Sequence, residues 1–328
     1  MRISICVPIY GTEKYITRCA KSLFEQTYAD IEYIFINDCT KDNSIRILKE
    51  IIDTYPFRKQ NVRIINHQVN KGLAAARNTG VLESSGDFIL WVDSDDYIDR
   101  SLVEKLVKLQ KKDHSDIICY DLEVIFSNRV EYYYNSDYIN GKDLCLKMLQ
   151  EIAPHHLCGH LISRDLYIEN SIIAKEGINQ AEDYQVMPRL AYYAKCISTL
   201  HEALYFYDRT NEDSFSNNFN VNKSIQISLA EEVLYDFFKD KEDVFKDQLE
   251  FSMTKSIVYR IKWLSLCGSE VNDHYNDLVM RLNEISSNVK RQLRLDLQLI
   301  AYINNKSFVR YVTKISNAIY HFLAKYKY

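Results

Sequence analysis

An α/β fold, with a mostly parallel sheet wound on both faces by helices and a helical region after it, is predicted by three observations. Over the first hundred residues, short apolar runs alternate four times with segments of helical periodicity. Each apolar run ends on polar or charged residues, as strands do where they deliver side chains to one rim of a parallel sheet. Beyond about residue 220 only the helical period remains, in Leu229, Val233 and Phe237 and then Ile257, Ile261 and Leu264.

Taken in order, Ile3 to Ile9 is predicted as a strand broken by Pro8 and by Tyr10-Gly11. Glu13 to Gln26 follows as an amphipathic helix with Ile16, Cys19, Ala20, Leu23 and Phe24 on one face. Ile31 to Ile36 is a second strand ending on Asn37-Asp38. Thr40 or Asp42 can cap a helix that runs to about Tyr55. Val62 to Ile65 gives a third strand, Leu73 to Leu82 an Ala-rich helix, and Phe88 to Val92 a strand that reads as fully buried. That strand stops on Asp93, Asp95 and Asp96, three carboxylates in four residues. The domain boundaries expected from this pattern are 1–218, with halves 1–100 and 101–218, then a helical region 219–328.

Formal net charge is −4, which argues against a general nucleic-acid binder. Eight Lys/Arg against one Asp give residues 288–328 a local +7, leaving −11 for residues 1–287, so an acidic body carries a basic tail. The eight cysteines are scattered, without a C-x-x-C pair or zinc spacing. Arg2-Ile3-Ser4-Ile5-Cys6-Val7 opens without an export signal, and no stretch reaches the roughly 20 apolar residues of a membrane span. Free thiols without export point to the cytosol.

The rim can be read residue by residue. Asp38, closing an apolar strand, either accepts hydrogen bonds from a base or ribose or caps the next helix. Lys71-Gly72 and Arg77 flank the start of a helix whose amides favour anions, so they either meet a phosphate or form surface ion pairs. Asp93 and Asp95 are two apart and point the same way on extended backbone. They either grip Mg²⁺ or Mn²⁺, hard cations that prefer oxygen, or form a polar turn capping the helix that begins near Asp99. A nucleoside diphosphate fits the whole rim. The spacing G-x-x-x-x-G-K-[ST] is absent, as is G-x-G-x-x-G after the first strand.

Val7-Pro8-Ile9-Tyr10, Gln26-Thr27-Tyr28, Asn37-Asp38-Cys39-Thr40-Lys41-Asp42-Asn43-Ser44, Asn70-Lys71-Gly72-Leu73-Ala74-Ala75-Ala76-Arg77-Asn78 and Asp93-Ser94-Asp95-Asp96 together resemble the family 2 glycosyltransferases. The resemblance covers residues 1–100 and departs at Gly11, where Asn is usual, and at Cys39, where Gly is commoner. It implies the GT-A fold and inverting, metal-dependent transfer of a hexosyl-type group from a nucleotide-sugar, usually a UDP-sugar. By the same resemblance Pro8, Tyr10, Glu13 and Asp38 line the nucleoside pocket. Lys71 and Arg77 lie near the donor, Asp93 and Ser94 near the ribose, and Asp95 with Asp93 holds Mn²⁺ or Mg²⁺. Gln180-Ala181-Glu182-Asp183-Tyr184 looks like the family's Glu-Asp motif, which makes Asp183 the base and Glu182 its support. Charge complementing a helix N-terminus accounts for the same two acids.

Outside those motifs, His156 and His160 have helical spacing for a metal, but Pro154 and Gly159 disturb a helix there. Tyr205 to Arg209 with Ser214-Phe215-Ser216 is similar to the end of the family's catalytic domain, or else is an edge strand with a loop. In the tail, Phe308, Tyr311, Val312, Ile315, Ile319, Phe322 and Leu323 form one helical stripe and Lys306, Arg310, Lys314 and Lys325 another. Such a helix lies on an anionic membrane, packs on the acidic body or joins a second subunit. The expected role is synthesis of a surface polysaccharide or glycoconjugate on a saccharide or lipid-linked acceptor, at the inner face of the membrane if the tail binds there. A nucleotidyltransferase needs a Gly-rich basic loop that Tyr10-Gly11-Thr12 lacks, and a non-catalytic nucleotide-sugar scaffold has no need of a base.

Overall fold

The computed structural model describes residues 1–211, 219–302 and 305–314. The chain divides into two units, Met1–Asn218 and Phe219–Tyr328.

The first unit opens with β1 (Ile3–Ile9), α1 (Ile16–Phe24), β2 (Ile31–Asn37), α2 (Ser44–Thr54), the short α3 (Pro56–Lys59), β3 (Val62–Asn66), α4 (Leu73–Glu83) and β4 (Phe88–Trp91). It continues through β5 (Tyr97–Ile98), α5 (Leu102–Asp113), β6 (Ile117–Ile125), β7 (Val130–Tyr133), α6 (Gly141–Leu149), β8 (His160–Ser163), α7 (Arg164–Glu169), α8 (Glu182–Tyr193) and β9 (Ile197–Asp208). These strands form one sheet in the order β3-β2-β1-β4-β8-β6-β9-β5, with β7 paired to β6. From β3 to β4 every pair is parallel. At β8 the direction reverses, and the far half is mixed. This is the GT-A fold. All residues of β1 and β4 are buried, as strands covered on both faces must be.

Pro8 does not break β1, which runs through it to Ile9. The reason is register: β4 pairs with β1 only from Ile3 to Cys6, where Val92 N–H donates to the Cys6 carbonyl. Two residues on, Pro8 turns its missing N–H to that same side, past the end of the ladder. Nor is the segment Tyr205 to Asp208 an edge: β9 lies between β6 and β5. Residues 214–216 lie outside the described residues.

Helix α4 lies close on the sheet because its inner face is small. Ala74, Ala75 and Ala76 are buried, and a Cβ at Gly80 would come within 2.6 Å of the Trp91 ring. That close approach carries Arg77 and Asn78, the next two residues of the helix, into the interior beside the rim.

The second unit comprises α9 (Val221–Phe238), α10 (Asp243–Leu264), α11 (Asn272–Glu284), α12 (Ser287–Lys290), α13 (Leu295–Ala301) and a helical segment at 306–314. Ile257, Val258, Ile261, Leu278, Leu282, Leu297 and Val309 are among its core. The helices expected beyond residue 220 are present, and the structure adds which faces they bury. Leu229, Val233 and Phe237 are only half-buried; the buried face of α9 carries Ser224, Ser228, Glu231, Leu234 and Phe238. Buried Arg260 sets that face: it donates to Glu231 Oε2 at 2.6 Å, to Ser228 Oγ at 2.5 Å and to the Ser224 carbonyl at 2.9 Å. In the tail, Phe308 and Tyr311 are exposed while Val309 and Thr313 are buried. Lys306 donates to the Gly268 carbonyl and Asn272, and Arg310 to the carbonyls of Ser265 and Cys267. Both cations thereby satisfy chain ends within this unit, as basic side chains do past a helix C-terminus. Residues 315–328 of the expected stripe lie outside the described residues. Among the described residues no helix is long and apolar enough to cross a membrane.

Candidate active site

The carboxyl ends of β1, β2, β3 and β4 converge on one rim, and two zipped loops build its first wall. Gly11 N–H donates to Thr40 Oγ1, Thr12 N–H to Ser44 Oγ and Glu13 N–H to Asp42 Oδ2. In return the Glu13 carboxylate accepts from the Asn43 amide and side chain at 2.9 and 3.1 Å. Glu13 is therefore occupied in joining the two loops. Asp42, not Asp38, receives the first amide of α2, from Ser44. Above this wall Tyr10 is half exposed and Pro8 is buried beneath it.

Asp38 is 4% exposed and turned toward the next loop. It accepts from the amides of Lys71 and Gly72, both at 2.8 Å, and meets His67 Nδ1 at 2.7 Å. These are the amides that precede α4, so Asp38 shapes the loop before that helix rather than capping α2. The Lys71 side chain is exposed and makes no ion pair among the described residues. Gly72 adopts φ +87°, and a Cβ there would lie within 2.6 Å of the Asn179 side chain. That close contact brings in the far half of the unit.

Asn179 Oδ1 accepts from the Ala74 amide, capping α4 from 105 residues away. Asn78 completes the clasp. Its Nδ2 donates to the Ala174 carbonyl at 2.8 Å and its Oδ1 accepts from the Ala174 amide at 2.9 Å. The segment leading to Glu182-Asp183 is thus held to the helix carrying Arg77. Asn78→Ala leaves both Ala174 groups unsatisfied and is expected to cost about 1–3 kcal/mol. Faster hydrogen exchange at the Ala174 amide and a lower melting temperature would register it, whereas unchanged exchange would remove the clasp.

Arg77 is the centre of the site. It is 3% exposed, donates to Asp93 Oδ1 at 2.8 Å and lies 3.9 Å from Glu182 Oε1. Its guanidinium stacks over the Trp91 ring at 4.9 Å. Asp93 and its neighbours Asp183 and Glu182 hold it firmly charged against burial. Its Nε and Nη1 are buried without a hydrogen-bond partner among the described residues. The ion pair expected at Arg77 is thus buried rather than on the surface.

Glu182 and Asp183 open α8, after Ala181 at φ +65°. A non-glycine residue in that region is strained and sets the angle at which the two acids enter the site. Burial, then the neighbouring Asp183, pushes the Glu182 carboxyl well above the usual range, against the pull of Arg77. Asp183 Oδ1 is buried with no hydrogen-bond partner among the described residues.

The three acids after β4 divide their work. Asp96, fully buried, accepts from Tyr205 Oη at 2.6 Å and from the Asp208 amide at 2.9 Å, fastening β9 to the turn. Asp95 accepts from Asn211 Nδ2 at 3.0 Å, and burial with the neighbouring Asp93 raises its carboxyl above the ordinary range. Ser94 is buried between Asp93 and Asp95. Arg18 donates to the Asp95 carbonyl at 2.9 Å, pairs with Asp208 and stacks on Tyr97. Asp99 accepts from the Ser101 amide just before α5, and the first-turn amide of Val103 donates to Gln26 Oε1 at 3.1 Å, so the cap on that helix comes from Gln26 rather than from the rim acids.

A divalent cation fits Asp95 and Asp93. Asp95 is a crowded carboxylate that accepts from the neutral Asn211 amide, and a cation relieves the repulsion from Asp93 that helps raise it. Among the described residues, Asp93, Asp96 and Cys158 also bring ligand atoms within 4.8 Å of one another. Both oxygens of Asp96 already accept, from Tyr205 and from the Asp208 amide, and a thiol suits softer metals than Mg²⁺ or Mn²⁺. The histidines do not assemble: His160 sits in β8 with Nδ1 on the His156 carbonyl at 2.7 Å, and burial lowers it to about 4. The sequence reading left Asn78, Cys158, Asn179, Asn211 and Arg18 without a role. Asn78 alone stood inside a quoted motif.

Residues 4–170 match the profile of Glycosyl transferase family 2. GlyG, a glycosyltransferase of Streptococcus pneumoniae serotype 4, is 30% identical over 286 residues, which cover 80% of this chain and 86% of GlyG. EpsJ, an uncharacterized glycosyltransferase of Bacillus subtilis, is 32% identical over 221 residues, covering 65% of this chain and 62% of EpsJ. Residues 1–349 of S. aureus TarS, in a crystal structure with UDP-GlcNAc, superpose with a TM-score of 0.78 at 20% identity, over 97% of this chain and 92% of that one. On the family profile and on GlyG, this chain belongs to glycosyl transferase family 2.

Proposed function

We propose that the chain moves one sugar from a UDP-sugar to a saccharide or lipid-linked acceptor, with inversion, in the synthesis of a surface polysaccharide. The observation that supports this most is the unpartnered Asp183 Oδ1, buried beside Glu182 and Arg77, with Asp93 across the guanidinium. A nucleotide-binding scaffold has no use for a buried, unsatisfied carboxylate oxygen; a general base has. S. aureus TarS holds UDP and UDP-GlcNAc in solved structures, which supports uridine for the base.

In this scheme residues 1–100 receive the donor and 101–218 the acceptor. Pro8, Tyr10 and Asp38 bound the nucleoside, with Lys71 free to reach the diphosphate. Asp93 and Ser94 face the ribose, and Asp95 with Asp93 would hold Mn²⁺ or Mg²⁺. That ion, when bound, neutralises charge on the departing diphosphate. Arg77 spans the gap between Asp93 and Glu182, so donor and acceptor sides share one fixed cation. Asp183 takes the proton from the acceptor hydroxyl, while the neighbouring Glu182, hydrogen-bonded to it, holds its orientation. Eight free thiols support a reducing compartment, the cytosol.

Calorimetric titration with UDP, GDP and UDP-sugars, with and without Mn²⁺, tests the donor side. UDP binding is expected to require the metal and to fall by at least about tenfold, or ~1.4 kcal/mol, in Asp95→Ala. It should also weaken as pH drops, because the raised Asp95 carboxyl keeps its proton to higher pH than an ordinary aspartate. Metal-independent binding, or equal binding by the variant, would remove Asp95 from the site.

A further inference from the structure

Strand β6 changes neighbours along one edge. From Ile117 to Cys119 it pairs with β8 and from Leu122 to Ile125 with β7, while β9 holds the other edge. β7 therefore continues the lane of β8 beyond the start of that strand, and the next lane belongs to β4, which leads into Asp93. The two lanes meet at the site. A Cβ at Gly159 would lie 3.8 Å from Leu122, and the preceding Cys158 has its thiol within 4.8 Å of the Asp93 and Asp96 carboxylates. Farther out, Val130 is in register with Ile125 and Ile125 with Asp208, whose amide donates to Asp96. The hairpin of β6 and β7 thus stands beside the acid turn, at its level.

Two rings on this hairpin turn away from the core. Tyr133 packs on the core, so by strand alternation Tyr132 and Tyr134 face the other way. Their centroids lie 6.0 Å apart with planes 11° from parallel, and the two residues remain 53% and 70% exposed. The backbone beneath them is fixed. Buried Asn135 donates its amide to Asp121 Oδ1 and its side chain to the Tyr120 carbonyl, both at 2.7 Å, and accepts from Tyr138 Oη. Sheet edges are ordinarily protected by charge or proline, so paired aromatic rings on a rigid edge mark a surface that meets a ligand.

Chemistry and area select the occupant. A pyranose presents a face of slightly positive C–H bonds, which the negative face of an aromatic ring attracts. Tyrosine offers that area at little entropic cost, and its hydroxyl can still meet a sugar hydroxyl. A second copy of the chain needs a larger surface. Two tyrosines supply at most about 500 Å², below the ~800 Å² per partner of a stable dimer. An anionic lipid surface is opposed by charge, since residues 1–287 carry −11 and Arg129 is paired with Glu131.

We propose that Tyr132 and Tyr134 form a stacking platform for sugar units of the acceptor, holding the chain beside the rim while its terminal hydroxyl reaches Asp183. This role rests on the transferase reading and narrows its acceptor to a saccharide of more than one pyranose unit. The platform supplies affinity and direction only, and the reacting groups stay those already named.

Calorimetric titration of the full chain with cellohexaose and with N-acetylchitohexaose, with and without Mn²⁺-UDP, tests it. At least one oligosaccharide is expected to bind, with an affinity that does not fall as salt is raised, because stacking on a neutral sugar is not screened. Y132A/Y134A should lose at least about tenfold in affinity, or ~1.4 kcal/mol, and Y132F/Y134F should stay within about threefold of the unmutated chain. Mn²⁺-UDP binding should be unchanged in both variants, and sedimentation velocity should give all three proteins the same mass. Equal oligosaccharide binding by the alanine variant, an equal loss in the phenylalanine variant, or no binding of either probe by the unmutated chain would each overturn the proposal. A mass that halves in Y132A/Y134A would make the face a self-association surface and overturn it as well. Failure of the unmutated chain to bind UDP would instead strike the transferase reading, and the oligosaccharide result would stand apart from it.

Discussion

Asp183→Asn is expected to lower sugar transfer by about 10²–10⁴-fold while leaving Mn²⁺-UDP binding within about twofold. The substitution preserves shape and removes the lone-pair basicity that a deprotonating group requires. Asp183 lies at the first turn of α8, and its buried Oδ1 has no hydrogen-bond partner to lose. Binding and transfer should therefore separate. Glu182→Gln provides the internal control, since burial and the neighbouring Asp183 already favour the neutral form of the Glu182 carboxyl. It should keep most activity at neutral pH, where an amide imitates the protonated acid. Single-turnover transfer beside a UDP titration distinguishes the two variants. Full activity in Asp183→Asn would remove the base, and equal losses in both would merge their roles.

Arg77→Met should damage stability and donor binding together. Its removal strands Asp93 and Glu182 with no cation, and breaking a buried pair by deleting one partner costs about 3–5 kcal/mol. The Trp91 stacking is lost as well. Because Arg77 pulls the Glu182 carboxyl down against burial, the variant should hold Glu182 protonated to still higher pH. Arg77→Lys should not restore the site, because one ammonium cannot reproduce a planar fork spanning two carboxylates. Denaturant unfolding with a UDP titration on the refolded protein measures both effects. A variant that melts earlier yet binds UDP normally would make Arg77 a packing element only.

The parallel half of the sheet was legible because covered strands must be apolar along their whole length, as β1 and β4 are. The rim acids were legible because each terminates such a strand. Pro8 was misread as a break, since only the register with β4 shows that its missing N–H lies past the ladder. Which face of α9 is buried was not legible, for another reason. Hydrophobic periodicity searches for apolar side chains, and this helix buries Ser224, Ser228 and Glu231 around Arg260. Lys306 and Arg310 of the tail likewise meet backbone carbonyls of residues 265–268, which no local pattern announces.

By itself the amino-acid order determined which strands and helices form in residues 1–100, which acids reach the rim and which family motifs they compose. Tertiary structure alone decided how those residues are employed. Asn78 reaches Ala174 across 96 residues, Tyr205 reaches Asp96 across 109 and Arg18 reaches Asp208 across 190. Apolar burial follows from local pattern because it is non-directional and any packed neighbour satisfies it. A buried charge or amide must meet a partner at fixed distance and angle, and here the chain supplies those partners from far along its length.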